Sequence, residues 1–137
     1  MTVFVDTAAL YAILDADDDN HELAAETWLA LAQDQAALLC SNYVLVETLA
    51  LVQHRLGIAA VRALQENIVP VLSIHWVDES THRAGISALV TARRAQLSLV
   101  DCVSFELMRQ LGIETVFTFD HHFEEQGFTR IPSGQQV

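Results

Sequence analysis

The 137-residue chain carries 18 acidic side chains against 7 basic ones, a formal net charge of −11 and 52% hydrophobic residues. The length suits a single domain over residues 1–137 with a substantial buried core, and the apolar content excludes wholesale disorder. Every basic residue is an arginine and no lysine is present, which excludes the P-loop phosphate lysine, Schiff-base chemistry and the lysine-dependent acidic phosphotransfer folds.

Short apolar runs rich in β-formers alternate with longer helical patterns, the signature of βαβ units and a mostly parallel sheet. In chain order, the pattern predicts a strand over Thr2–Val5, helices over Ala8–Leu14 and Asn20–Gln33, and a second strand over Ala36–Cys40. Helices over Tyr43–Leu56 and Ile58–Asn67 follow, then a strand within Val69–Val77. Helices over Glu79–Ala95 and Val100–Leu111 come next, then a strand over Thr115–Phe119. A weak final strand near Phe128–Ile131 precedes a frayed tail over Pro132–Val137. Gly57 and Gly112 stand just past periodic runs, where a helix ends most readily on glycine.

The N-terminus has no basic region ahead of its first apolar run, which Asp6 interrupts, so no signal peptide is expected. No apolar stretch approaches the ~18–20 residues of a membrane span. Cys40 and Cys102 form no CxxC pair and read as buried thiols of a reducing compartment. The expected setting is cytoplasmic, with no membrane partner.

Four acids and their neighbours then separate from the rest. Asp6 ends the first strand and Asp120 the fourth, and in open parallel sheets ligands collect at the carboxyl ends of strands where the strand order reverses. Either aspartate alone reads as a helix cap. Glu47 has Tyr43, Val44, Ala50 and Leu51 as its helical neighbours, so it sits on an apolar face of a helix expected to pack in the interior. A carboxylate there is costly unless paired, protonated or metal-bound. Asp101 follows Ser98 by three residues, which suits a capping box and a site acid equally. The run from Asp15 to Asp19 reads as a solvated loop. Carboxylates brought within a few Å repel one another unless a divalent cation binds, and oxygen donors without thiolates point to Mg²⁺ or Mn²⁺.

Five segments carry a family resemblance: Val5-Asp6-Thr7-Ala8-Ala9-Leu10; the acidic stretch leading to His21 and Ala24; Ser41-Asn42-Tyr43-Val44 through Glu47-Thr48; Asp101-Cys102-Val103-Ser104-Phe105; and Thr118-Phe119-Asp120 through His122-Phe123. In this order and spacing they resemble the PIN-domain ribonucleases, and among them the VapC-type toxins of bacterial toxin–antitoxin pairs. The resemblance implies a three-layer α/β/α domain with a five-stranded sheet of order 3-2-1-4-5. It also implies that Asp6, Glu47, Asp101 and Asp120 are an acidic quartet holding Mg²⁺ or Mn²⁺ for RNA hydrolysis by an activated water. A small antitoxin and a second copy of the chain are the implied partners. A catalytically silent PIN-like module that binds RNA or protein is the competing expectation, disfavoured by the intact quartet.

Other residues carry two readings each. Thr7 and Ser104 flank the acids and suit a phosphate oxygen or a bound water, although Ser104 also suits tight packing against the sheet. Asn42 reads first as a helix cap and second as an orienter of Glu47. His122 matches a family position where a supporting role is implied, and no histidine pattern suggests zinc. Trp28 and Trp76 read as core or partner surface. The bulk charge argues against a polyanionic partner, since nucleic-acid affinity comes largely from neutralising phosphates. Residues 51–100 are the exception, with five arginines against three acids. Within them Arg93 and Arg94 suit either an RNA guide or a favourable helix C-terminal charge.

Overall fold

The computed structural model describes residues 1–93 and 96–133. Its sheet comprises β1 (Thr2–Val5), β2 (Ala37–Ser41), β3 (Ser73–His75), β4 (Thr115–Phe117) and β5 (Thr129–Ile131). The strand order is β3-β2-β1-β4-β5, with every pairing parallel, so the sheet is wholly rather than mostly parallel. The helices are α1 (Thr7–Leu14), α2 (His21–Gln33), α3 (Asn42–Leu56), α4 (Ile58–Ala63), α5 (Glu79–Ala92), α6 (Leu99–Leu111) and α7 (His122–Glu125). The architecture is the three-layer α/β/α arrangement the sequence implied.

The continuous apolar run Val3-Phe4-Val5 belongs to the central strand, and all three residues are fully buried, as expected of a strand covered on both faces. Val116 and Phe117 of β4 are buried beside it. The register pairs Val5 with Phe117, and the next amide, that of Asp6, still donates to the Phe117 carbonyl at 3.0 Å. Asp6 is thereby delivered to the carboxyl edge of the sheet where β1 and β4 lie side by side.

Several expectations needed correction. The helix over Tyr43–Leu56, α3, is not interior: its buried residues are Val44, Thr48 and Val52, and Val46 is 64% exposed. It packs through one side, with Leu49, Leu51 and Leu56 partly buried against the core and Val46 left exposed. The helix predicted over Ile58–Asn67 leaves α-geometry after Ala63, passing through a π turn at Leu64–Ile68 and a 3₁₀ turn at Val69–Val71. Pro70 lacks the amide that would continue the ladder, while Leu64 and Ile68 keep the wider turn anchored in the core. The strand predicted to reach Phe119 ends at Phe117, because the chain turns there around the Thr118 side chain. Helix α7 was not anticipated; its entry is made by Asp120 Oδ1 accepting the His122 amide at 2.9 Å. Helix α5 stops at Ala92, and Arg93 closes it in the left-handed region at φ 54°. Arg94, Ala95 and residues 134–137 of the predicted tail lie outside the described residues.

Candidate active site

Asp6 is 3% exposed. Its carboxylate does not cap α1; instead Oδ2 accepts a hydrogen bond from Thr118 Oγ1 at 2.8 Å. Burial raises the Asp6 carboxyl from its ordinary 3.8 to about 7, against the Thr118 hydrogen bond that lowers it, and the negative charges of Asp101 and Asp120 add to the rise. Asp120 lies just past β4, its amide donating to Thr118 Oγ1 at 3.0 Å. Its Oδ1 also accepts from His122 Nδ1 at 2.7 Å, and His122 is itself buried.

Asp101 forms the capping box that its sequence position suggested. Ser98 Oγ accepts the Asp101 amide and Asp101 Oδ2 accepts the Ser98 amide, each at 3.1 Å, which completes a capping box at the start of α6. Yet burial pushes its carboxyl up, and the Ser98 amide only partly opposes this while the charges of Asp120 and Glu47 push further. Glu47 is half-buried on α3 and forms a wall shared by two open clefts. One, of about 410 Å³, is lined by Asn42, Tyr43, Val46, Glu47 and Val100. The other, of about 480 Å³, is lined by Thr7, Glu47, Ala50, Leu51 and His54. The four acids predicted from sequence therefore interact electrostatically: Asp6 with Asp101 and Asp120, and Asp101 with Asp120 and Glu47.

A family model for the PIN domain matches residues 3–128. The chain belongs to the PIN-domain family. The 23S rRNA-specific endonuclease VapC20 of Mycobacterium tuberculosis is 32% identical over 130 residues, covering 94% of this chain and 97% of the relative. The crystal structure of VapC20, described as a Sarcin-Ricin loop cleaving toxin, superposes with a TM-score of 0.82 at 31% identity, covering 92% of this chain and 95% of that one. FitAcB from Neisseria gonorrhoeae, at 18% identity and a TM-score of 0.67 over 95% of this chain and 96% of that one, shares the fold.

In this PIN domain the side chains of Asp6, Glu47, Asp101 and Asp120 offer only oxygen donors, and the carboxyls of Asp6 and Asp101 are held above their ordinary protonation range by burial first and then by charge from other acids of the set. A hard divalent cation would relieve that repulsion, so the residues fit such an ion. Asp120, His121 and His122 also offer ligand-type atoms within 4.8 Å of one another. This trio belongs to the turn into α7: Asp120 Oδ1 and His122 Nδ1 already bond to each other, and exposed His121 pairs with Glu125 at 3.6 Å.

The remaining predicted residues divide. Thr7 is buried, its hydroxyl accepting from Thr48 Oγ1 at 3.3 Å and donating weakly to the Val44 carbonyl at 3.5 Å, which ties α1 to α3. Ser104 Oγ is buried with no hydrogen-bond partner among the described residues. Asn42 does not cap α3: Ser41 does, accepting the Val44 amide at 3.1 Å, while Asn42 Oδ1 takes the Val77 amide at 2.7 Å and fastens the chain beyond β3. Capping fell to the neighbour because Asn42 is already the first helical residue. Arg93 is exposed beyond α5. The residue that sequence reasoning passed over is Thr118. It stood in a quoted motif without a role, and a threonine two residues before an aspartate is a common turn former.

Proposed function

We propose that this PIN domain is a metal-dependent endoribonuclease, the toxin of a toxin–antitoxin pair. The observation that carries it is the Asp6 carboxylate, buried where β1 and β4 lie side by side with the charges of Asp101 and Asp120 acting on it. Asp6 and Asp101 are the main ligands in this reading, with Asp120 bound directly or through water and Glu47 as ligand or water orienter. When bound, Mg²⁺ or Mn²⁺ supplies polarisation of the phosphodiester, a water nucleophilic near neutral pH and charge neutralisation at the leaving 3′ oxygen. His122 holds Asp120 in one orientation through its ring and its amide. Glu47, between the two clefts, stands where a strand running from one to the other would pass. Arg93, with Arg94 next in sequence, supplies positive charge for the RNA backbone. Hydrolysis on this scheme needs neither a lysine nor a covalent intermediate.

A small antitoxin and a second copy of the chain are the proposed partners, and the working compartment is the cytoplasm. Val46, Trp76 and Val90 are exposed apolar side chains open to a partner, and the nine acids without a base in residues 1–50 suit a basic partner. Among the described residues no helix is long and apolar enough to cross a membrane.

The test is cleavage of purified ribosomal RNA, the substrate class of VapC20, with Mg²⁺ or Mn²⁺. Cleavage should stop with a chelator and in Asp6→Asn and Asp101→Asn. Cleavage that survives chelation or both substitutions would refute the metal mechanism, and RNA binding without cleavage would favour the silent module.

A further inference from the structure

Thr118 occupies a place that neither the acids nor their helices explain. It is fully buried and lies beyond β4, with its amide donating to the Ile131 carbonyl at 3.1 Å, so the sheet fixes its backbone. Its hydroxyl touches two of the four acidic residues at once. Asp6 Oδ2 stands 2.8 Å away and the Asp120 amide nitrogen 3.0 Å away.

The two contacts differ in what they permit. A hydroxyl has one proton to give and two lone pairs to offer. A backbone amide can only donate, so Thr118 must accept from Asp120. The hydroxyl proton is then left for the partner that can receive it, the Asp6 carboxylate. Asp6 and Asp120 are 114 positions apart in sequence, and one oxygen atom sets the distance between their attachment points. From Asp120 the chain of bonds continues through Oδ1 to the amide and ring of His122. Each acid is thus held by at least one neutral donor, and Thr118 is the member common to both.

We propose that Thr118 is a positioning residue of the acidic centre: its hydroxyl aims the Asp6 carboxylate and locks it in register with Asp120, so that cation binding requires this hydroxyl. The inference rests on the nuclease reading for its activity arm only. A methyl in place of the hydroxyl leaves Asp6 Oδ2 and the Asp120 amide without this partner, and the loop beyond β4 is free to shift relative to β1. Loss of a neighbour that orients a ligand commonly costs roughly 10–100-fold in metal affinity or activity.

The experiment compares Thr118→Val, which removes the hydroxyl and keeps the branched shape, with Thr118→Ser, which keeps the hydroxyl and removes the methyl. Mn²⁺ affinity is measured by titration on each purified protein, and the rise in melting temperature on adding Mg²⁺ is measured against the same protein in chelator. We expect Thr118→Val to fold, to lose roughly tenfold or more in Mn²⁺ affinity and to lose most of its Mg²⁺-induced stabilisation. Thr118→Ser should stay within about threefold of wild type, by the same reasoning on the hydroxyl. A valine variant that binds Mn²⁺ as tightly as wild type, or a serine variant as impaired as the valine one, overturns the proposal. So does a wild-type protein that binds no divalent cation. Should Thr118→Val fail to fold, Thr118→Ala, with room for a water at the vacated position, takes its place in the same comparison. RNA cleavage is the separate arm: a wild type that binds Mn²⁺ but leaves RNA intact defeats the nuclease reading and leaves the positioning result to be read from the metal titration.

Discussion

Removing the charge of Asp6 should make the metal-free protein more stable at neutral and alkaline pH while destroying its function. The buried carboxyl titrates near 7 in the folded chain against 3.8 ordinarily. Between those values the folded state holds a proton that the unfolded state has released, so stability falls as pH rises. The favourable contribution is complete below about 3.8 and is lost as pH climbs through about 7. At about 1.4 kcal/mol per pKa unit the full span is worth about 4 kcal/mol, of which about 2.5 kcal/mol falls between pH 5 and pH 8. In Asp6→Asn the neutral amide still accepts from Thr118 and removes the titration. Urea unfolding in chelator at the two pH values, on wild type and variant, isolates the difference from all other titrating groups. The wild type should lose about 2.5 kcal/mol more than the variant over that interval. Added Mg²⁺ should restore the wild type at pH 8, because a ligand that binds only the folded state stabilises it, and should leave the variant nearly unchanged. Equal pH slopes in the two proteins would refute the assignment of a buried carboxyl with a raised pKa to Asp6.

Two further outcomes follow from packing. Ser104→Ala should leave RNA cleavage unchanged and unfold at equal or higher urea concentration, since an unpartnered buried hydroxyl carries a desolvation cost of about 1–3 kcal/mol; a loss of cleavage would restore Ser104 to the reaction. Gly85→Ala should destabilise the fold by roughly 1–3 kcal/mol in thermal or urea unfolding, because the added Cβ would stand 2.5 Å from Val103 Cγ2 where α5 crosses α6. Combining it with Val103→Ala should give a smaller loss than the two single losses added together, and strict additivity would count against a direct clash.

Much of the site was legible because it is written locally. Val3-Phe4-Val5 and Val116-Phe117 are apolar runs with an acid shortly after them, and alternation of strand and helix places such ends on one edge of a parallel sheet. The Ser98–Asp101 box was equally readable, since both partners lie within four residues. Glu47 and its helix were less so. Periodicity tells which residues of a helix are apolar, but whether another element exists to cover them depends on the rest of the chain. Val46 shows that among the described residues none covers that side of α3. For the same reason Trp76 could be read as core or surface, and it is 72% exposed.

By itself, then, the sequence excluded chemistry that needs a lysine and, through its resemblance to the PIN-domain ribonucleases, singled out four acids as candidates. It also determined the strand ends on which two of those acids stand. Tertiary structure decided their state. Only the pairing of β1 with β4 removes Asp6 from water and brings Thr118 within 2.8 Å of it across 112 positions of chain. A carboxylate's protonation depends on how much solvent it has lost and which charges and donors surround it, and none of these is a property of the residues adjacent to it in sequence.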